Sequence, residues 1–193
     1  MRLAPVVLLS LVPGLLPAQS KTPTPAEQIA LAVLPLPQEF RAGATVLGYN
    51  EAGKLVPLRA TKGAMICLAD DPADDRFHAA CYARSIEPFM LRGRQLRAAG
   101  TKGDQVDSVR FREVRSGKLV MPKQAALWQL NGPMTAVDVA AGKVGVEVKP
   151  LYVIYVPYAT SASTGIPSAP AKGVPWLMLP GTPKAHIMFT PDM

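Results

Sequence analysis

The stretch AMICLADDPADDRFHAACYARSIEPFMLRGRQL (residues 64–96) decides the fold, because it holds both cysteines, the densest acidic cluster, one of the two histidines and the start of the basic region. Ala64 to Ala69 predicts a strand with Met65, Cys67 and Ala69 on one face. In the run Asp70-Asp71-Pro72-Ala73-Asp74-Asp75, Asp71 suits a helix N-cap, Pro72 the first helical position and Asp74 the third. All four carboxylates then sit where the helix dipole favours negative charge. A calcium loop would need alternating Asp or Asn, a central Gly and a closing Glu, and this run lacks the alternation and the Gly. The spacing predicts a helix from Pro72 towards Ala98. His78, Tyr82 and Ile86 lie on one side, Phe77 and Cys81 lie beside them, and Pro88 either kinks the helix or begins a second one. Arg84 and Glu87, one turn apart, read as a surface ion pair. Arg92, Arg94 and Arg97 gather near the C-terminal end, where cations complement the dipole, and Gly100 stops the helix.

The N-terminus sets the compartment. Met1-Arg2 is a short positive start, Leu3 to Leu16 is apolar apart from Ser10, and Leu16-Pro17-Ala18 offers a cleavage site after Ala18. That layout predicts a secretory signal peptide over residues 1–18, since a membrane anchor would need roughly 20 apolar residues without internal breakers. Residues 19–25 read as a flexible polar leader and residues 26–193 as one domain. No later stretch reaches spanning length. Two cysteines in an exported chain favour a Cys67–Cys81 disulfide. The rival, a Cys81 nucleophile assisted by His78, would need a reduced thiol.

Charge is unevenly placed. Between Arg76 and Lys123 there are 11 Lys/Arg against 4 Asp/Glu, so the net +7 of the whole chain is concentrated in its middle third. Such a field suits an anionic envelope component, with Arg92, Arg94 and Arg97 as candidate anion-binding residues. The plainer alternative is a solvated helical face. Nucleic acid is not an expected partner, because no binding motif is present and export separates the chain from most such targets.

The remaining elements follow from pattern. Ala26 to Leu34 predicts a short helix, bounded by Pro25 and Pro35, that presents Ile29, Val33 and Leu36 to the core. Thr45–Tyr49 and Leu55–Arg59 form a hairpin, and Pro57 marks the return strand as a sheet edge. Residues 104–115 carry both helix and strand signals and are assigned as helix. Strands are expected over 125–130, 151–158, 176–179 and 186–189, with a loop carrying a small hairpin over 134–149 and an exposed loop over 159–172. The sum is an α+β domain: a mixed, mainly antiparallel sheet with helices packed on one face and one disulfide.

Asp74, His78 and His186 form the one candidate polar or metal cluster, with Met178 and Met188 as conceivable soft partners of His186. A hydrogen-bonded core histidine is the commoner role for such a residue. There is no G-x-S-x-G, H-E-x-x-H, P-loop, G-x-G-x-x-G, C-x-x-C or C-x-x-C-H, so no catalytic residue, metal or cofactor is assigned.

Two passages, LRATKGAMICLADDP (58–72) and GTPKAHIMF (181–189), with FHAACYARSIEPFM between them, resemble a group of exported bacterial proteins of unassigned activity that close on G-T-P-x-A-H-I-M. The resemblance implies export and a single domain and carries over no functional residue. The expectation is therefore a periplasmic or secreted binding module. A small enzyme or metal protein built on His78 and His186, or a structural envelope component, stands as the alternative.

Overall fold

The computed structural model describes residues 22–170 and 173–191. The proposed signal peptide and residues 19–21 of the leader lie outside that range. The described chain opens on α1 (Pro25–Ala32), whose start is a capping box: Thr24 Oγ1 accepts from the Glu27 N–H, and Glu27 Oε2 accepts from the Thr24 N–H. A single turn, α2 (Gln38–Arg41), leads into β1 (Thr45–Tyr49), β2 (Leu55–Arg59) and β3 (Met65–Leu68). Then come β4 (Arg76–Ala83), α3 (Glu87–Ala98), α4 (Asp104–Arg115) and β5 (Ala125–Pro133). The small hairpin β6 (Val137–Asp138) and β7 (Lys143–Val144) precedes β8 (Lys149–Tyr155), α5 (Ser161–Thr164), β9 (Trp176–Met178) and β10 (His186–Phe189).

Eight strands form one sheet in the order β2-β1-β3-β4-β5-β8-β10-β9. Every pairing is antiparallel except β1 with β3, so the α+β, mainly antiparallel expectation holds. Pro57 does lie in an edge strand, β2, as a residue without an N–H should.

The alternation of side chains in β3 and β4 builds two cores. Met65, Cys67, Ala69 and Cys81 join Val46, Ala32, Val33 and Leu36 beneath α1. Ile66 and Tyr82 point the other way and join Ile86, Phe89, Leu127, Val153 and Tyr155 beneath α3 and α4. The larger helical layer thus packs on one face as expected, and the short α1 covers part of the opposite face. Phe89 and Ile86 are fully buried; each such side chain contributes roughly 1.5–3 kcal/mol of burial free energy.

α1 is tied to the sheet by one polar clamp. Gln28 Nε2 donates to the Tyr49 carbonyl at 2.8 Å, and Gln28 Oε1 accepts from the Tyr49 N–H at 2.7 Å, so the side-chain amide stands in for a neighbouring strand. A Cβ at Gly48 would fall 2.5 Å from Gln28 Oε1 and 2.4 Å from Leu58 Cδ1, which is why glycine occupies that strand position.

The long helix expected from Pro72 is not formed; residues 76–83 are β4, and after a 3-10 turn over Arg84–Ile86 the α-helix begins only at Glu87, with Pro88 in its first turn. The physical reason is period. Phe77, Ala79 and Cys81 are buried on one face while Arg76 and His78 are exposed on the other, a two-residue repeat that the His78/Tyr82/Ile86 spacing obscures. The acidic run makes the β3–β4 connection. Asp71 Oδ1 accepts from the Ala73 N–H and Asp74 Oδ1 from the Arg76 N–H, while Asp70 Oδ1 accepts from the His78 N–H at 2.7 Å. The carboxylates satisfy backbone donors as anticipated, but those of a turn instead of a helix start.

Cys67 and Cys81 are directly opposite each other in the β3–β4 ladder and are joined as a disulfide, with Cα atoms 3.9 Å apart. The bridge spans 14 sequence positions, a separation at which loop closure should stabilise the fold by about 3 kcal/mol. The Cys67→Ala/Cys81→Ala double variant is expected to lose about that much in urea unfolding, summing bridge and lost packing, while retaining the same far-ultraviolet dichroism. A loss below about 0.5 kcal/mol would show that the bridge adds nothing to the paired strands.

Candidate functional site: a basic cleft between α3 and the sheet

Two concavities flank the β3–β4 hairpin, one on each face of the sheet. The larger, about 610 Å³, lies on the α1 side and opens where the described chain begins, at Thr22. Leu31, Ala69, Met134 and Val139 make it largely apolar, with Asp70 and Asp74 on one wall. The smaller, about 220 Å³, lies on the opposite face, between α3 and the exposed ends of β4 and β5.

The smaller cleft draws the charge of the middle third together. Its floor is Ala80 and Tyr82 of β4 with Gln129 of β5; Arg94 and Arg97 overhang from α3, Arg110 reaches in from α4, and Lys184 closes the end near Tyr155. Arg94 is held by Glu87 at 2.6 Å and donates to the Tyr82 hydroxyl at 2.8 Å, which in turn donates to Glu87 Oε2 at 2.6 Å. Burial first, then the hydrogen bond to Glu87, raises the Tyr82 pKa well above the usual phenol range, so Tyr82 remains a neutral donor.

Arg110 is only 3% exposed. Its guanidinium lies 3.9 Å from the centre of the Phe89 ring, donates to the Phe89 carbonyl, and pairs with Asp107. Asp107 also takes Lys184 Nζ at 2.8 Å. Burial pushes the Asp107 carboxyl up, but the hydrogen bonds from Lys184 and Arg110 outweigh it and hold the group below its ordinary pKa. Among the described residues the buried Arg110 Nε has no hydrogen-bond partner, a deficit of roughly 1–3 kcal/mol at such a site.

Gly93 permits this convergence. A Cβ there would stand 2.9 Å from Arg110 Nη1 and 3.2 Å from Arg97 Nη1, so both guanidinium groups crowd the same bare spot of α3. Arg97 has no ion-pair or hydrogen-bond partner among the described residues. Four cations thus line a cleft that holds two carboxylate partners, Glu87 and Asp107. The arrangement can bind an anion through charge-assisted hydrogen bonds.

The sequence-derived residues divide between several places. Arg94 and Arg97 line the cleft, whereas Arg92 turns to α4 and forms a two-point pair with Glu113 at 2.6 and 2.8 Å. Arg84 does not pair with Glu87; it donates to the carbonyls of Gly63 and Thr61 and to Thr45 Oγ1, holding β1 and β3 together. Asp74, His78 and His186 are not brought together. Asp74 faces the apolar cavity and His78 the basic cleft on the opposite face. The ladder places His186 three strands across and six positions along from His78, about 25 Å away. His186 is buried beside Tyr155, with ring centres 5.3 Å apart, and its Nδ1 donates to the Lys184 carbonyl. Burial holds it below the ordinary histidine pKa, against the pull of that carbonyl. Among the described residues no three His, Cys, Asp or Glu side chains form a group that could hold a metal ion. Lys184 and Arg110 were not singled out by sequence, and Tyr82 was placed only on a helix face; a glycine within an arginine-rich helix, Gly93, is the signal that could have pointed to them.

No family model matches the chain, and neither a curated protein nor a solved structure matches it.

Asp70, on the wall of the apolar cavity, has its pKa raised to about 6 by burial, with Asp74 and Asp71 adding to the rise and the hydrogen bond from the His78 N–H opposing it. A folded-state value above the unfolded one means the native protein binds the proton more tightly. The associated stability is present below about pH 4 and is lost as pH rises through about 6. Asp70→Asn keeps the acceptor for His78. It should therefore exceed the parent in stability by about 1 kcal/mol at pH 7, after discounting for partial solvent screening, with the gap closing towards pH 4. Urea midpoints measured across that range test this; a gap independent of pH contradicts it.

Proposed function

We propose that this protein is an exported, non-catalytic binding module of the bacterial envelope that takes an anionic partner in the cleft between α3 and the sheet. Export is supported by the layout of residues 1–18 and by the disulfide, since thiols of this kind are oxidised mainly outside the cytosol. Binding is supported by one observation above the others: among the described residues Arg97 has no partner, and it stands beside three further cations that share two carboxylates. Like charges held in one recess repel one another, and an incoming anion relieves that repulsion. The recess also concentrates the field of the basic middle third.

Retention on an immobilised sulfated polysaccharide is the direct test. Affinity is expected to fall steeply as salt rises. Arg97→Glu should weaken it by about tenfold, while Arg115→Glu, the same charge change at an exposed position of α4 outside the cleft, should cost at most about threefold. Equal losses from the two variants would mean that net charge, and not the cleft, attracts the matrix.

A further inference from the structure

We infer that the ligand of this cleft is a phosphate monoester of a single sugar unit, seated with its phosphate at the arginines and its hydroxyls along β4 and β5. The inference rests on the binding reading above and adds the chemical class.

Three features of the cleft carry it. The first is charge: four cations against two carboxylates leave a surplus of two positive charges. A phosphate monoester carries about −1.5 to −2 near neutral pH, whereas a uronic-acid carboxylate carries a single negative charge and would leave the surplus half met. Planar guanidinium groups such as Arg97's also suit several oxygens on one phosphorus.

The second is size. About 220 Å³ admits a phosphorylated monosaccharide and leaves no room for a longer glycan to be enclosed. A larger carrier would present only its terminal unit.

The third is the strand floor of the cleft. Along the cleft face β4 reads His78-Ala80-Tyr82, so Ala80 is a notch between two larger residues. Gln129 lies directly opposite Ala80 in the ladder. Gln129 Nε2 already donates to Asn131 Oδ1 at 3.0 Å, which leaves its Oε1 as an acceptor at the notch. A hydroxyl is the complementary donor, and the Ala80 and Leu68 side chains offer apolar contact to the C–H face of a sugar ring.

Titration calorimetry of the oxidised mature chain with glucose-1-phosphate, inorganic phosphate, glucuronate and glucose tests the assignment. Glucose-1-phosphate should bind about tenfold more tightly than either other anion, and glucose should give no heat. Arg97→Gln should weaken glucose-1-phosphate and inorganic phosphate alike. Gln129→Leu should remove the advantage of the sugar phosphate and leave inorganic phosphate unchanged, with the dichroism spectrum confirming that the variant is folded. Flotation with phosphatidylcholine vesicles, with and without a phosphorylated glycolipid, distinguishes the source: recruitment only by the glycolipid places the sugar phosphate on a membrane, and no recruitment places it in solution. Equal affinity for glucose-1-phosphate and inorganic phosphate overturns the sugar assignment. Retention on the sulfated matrix that depends on Arg97, without glucose-1-phosphate binding, overturns this inference alone; loss of both overturns the binding reading as well.

Discussion

The register of β3 against β4, set by alternating side chains and pinned by the Cys67–Cys81 bond across the ladder, is the constraint on which the two-faced architecture depends. In a strand, a slip of one residue would turn every side chain to the opposite face. A bond between two directly opposed residues forbids that slip. With the register fixed, Phe77, Ala79 and Cys81 are committed to the core beneath α1 and its flanking segments. Ala80 and Tyr82 are committed to the face that α3 overhangs. The notch and the hydroxyl of the basic cleft therefore follow from the same register, which the bond reinforces at the centre of the sheet.

Electrostatics then sorts the arginines of the middle third. Arg92 and Glu113 satisfy each other at the α3–α4 contact, and that hydrogen bond is the main reason Glu113 stays below its ordinary pKa. Arg84 is consumed by backbone carbonyls beneath β1. Arg94, Arg110 and Lys184 each have a carboxylate, though the last two share one. Of the four cations that line the cleft, Arg97 alone has no carboxylate among the described residues, and a bare glycine one turn earlier in α3 lets it sit beside Arg110. Arg110 itself is held by burial, the Phe89 ring and Asp107, so the cation at the back of the cleft is fixed in place while the one at its mouth is free to meet a ligand.

Much of this was legible in the residues, and what was not has a physical cause. The β1–β2 hairpin, the edge position of Pro57 and the shared face of Met65, Cys67 and Ala69 follow from local pattern and turn chemistry, whereas residues 104–115 carry two signals of which the helical one is realised. β4 did not, because RFHAACYA is poor in the β-branched residues that mark strands, and alanine fits either period. Tertiary pairing with β3 and β5 decided it. Arg94 and Arg97 were legible as part of a basic cluster, but their division from Arg92 depends on where Glu113 falls once α4 packs against α3. Lys184 meets Asp107 across 77 positions, a contact set by the order of strands in the sheet and invisible to any local reading.

The most direct test of the account is the response of the arginine side-chain Nε–H resonances of the oxidised protein to added glucose-1-phosphate. The account predicts that the signals of Arg97 and Arg94 shift saturably while those of Arg92 and Arg115 stay in place. Shifts spread evenly over all the arginines, or confined to those outside the cleft, would contradict it.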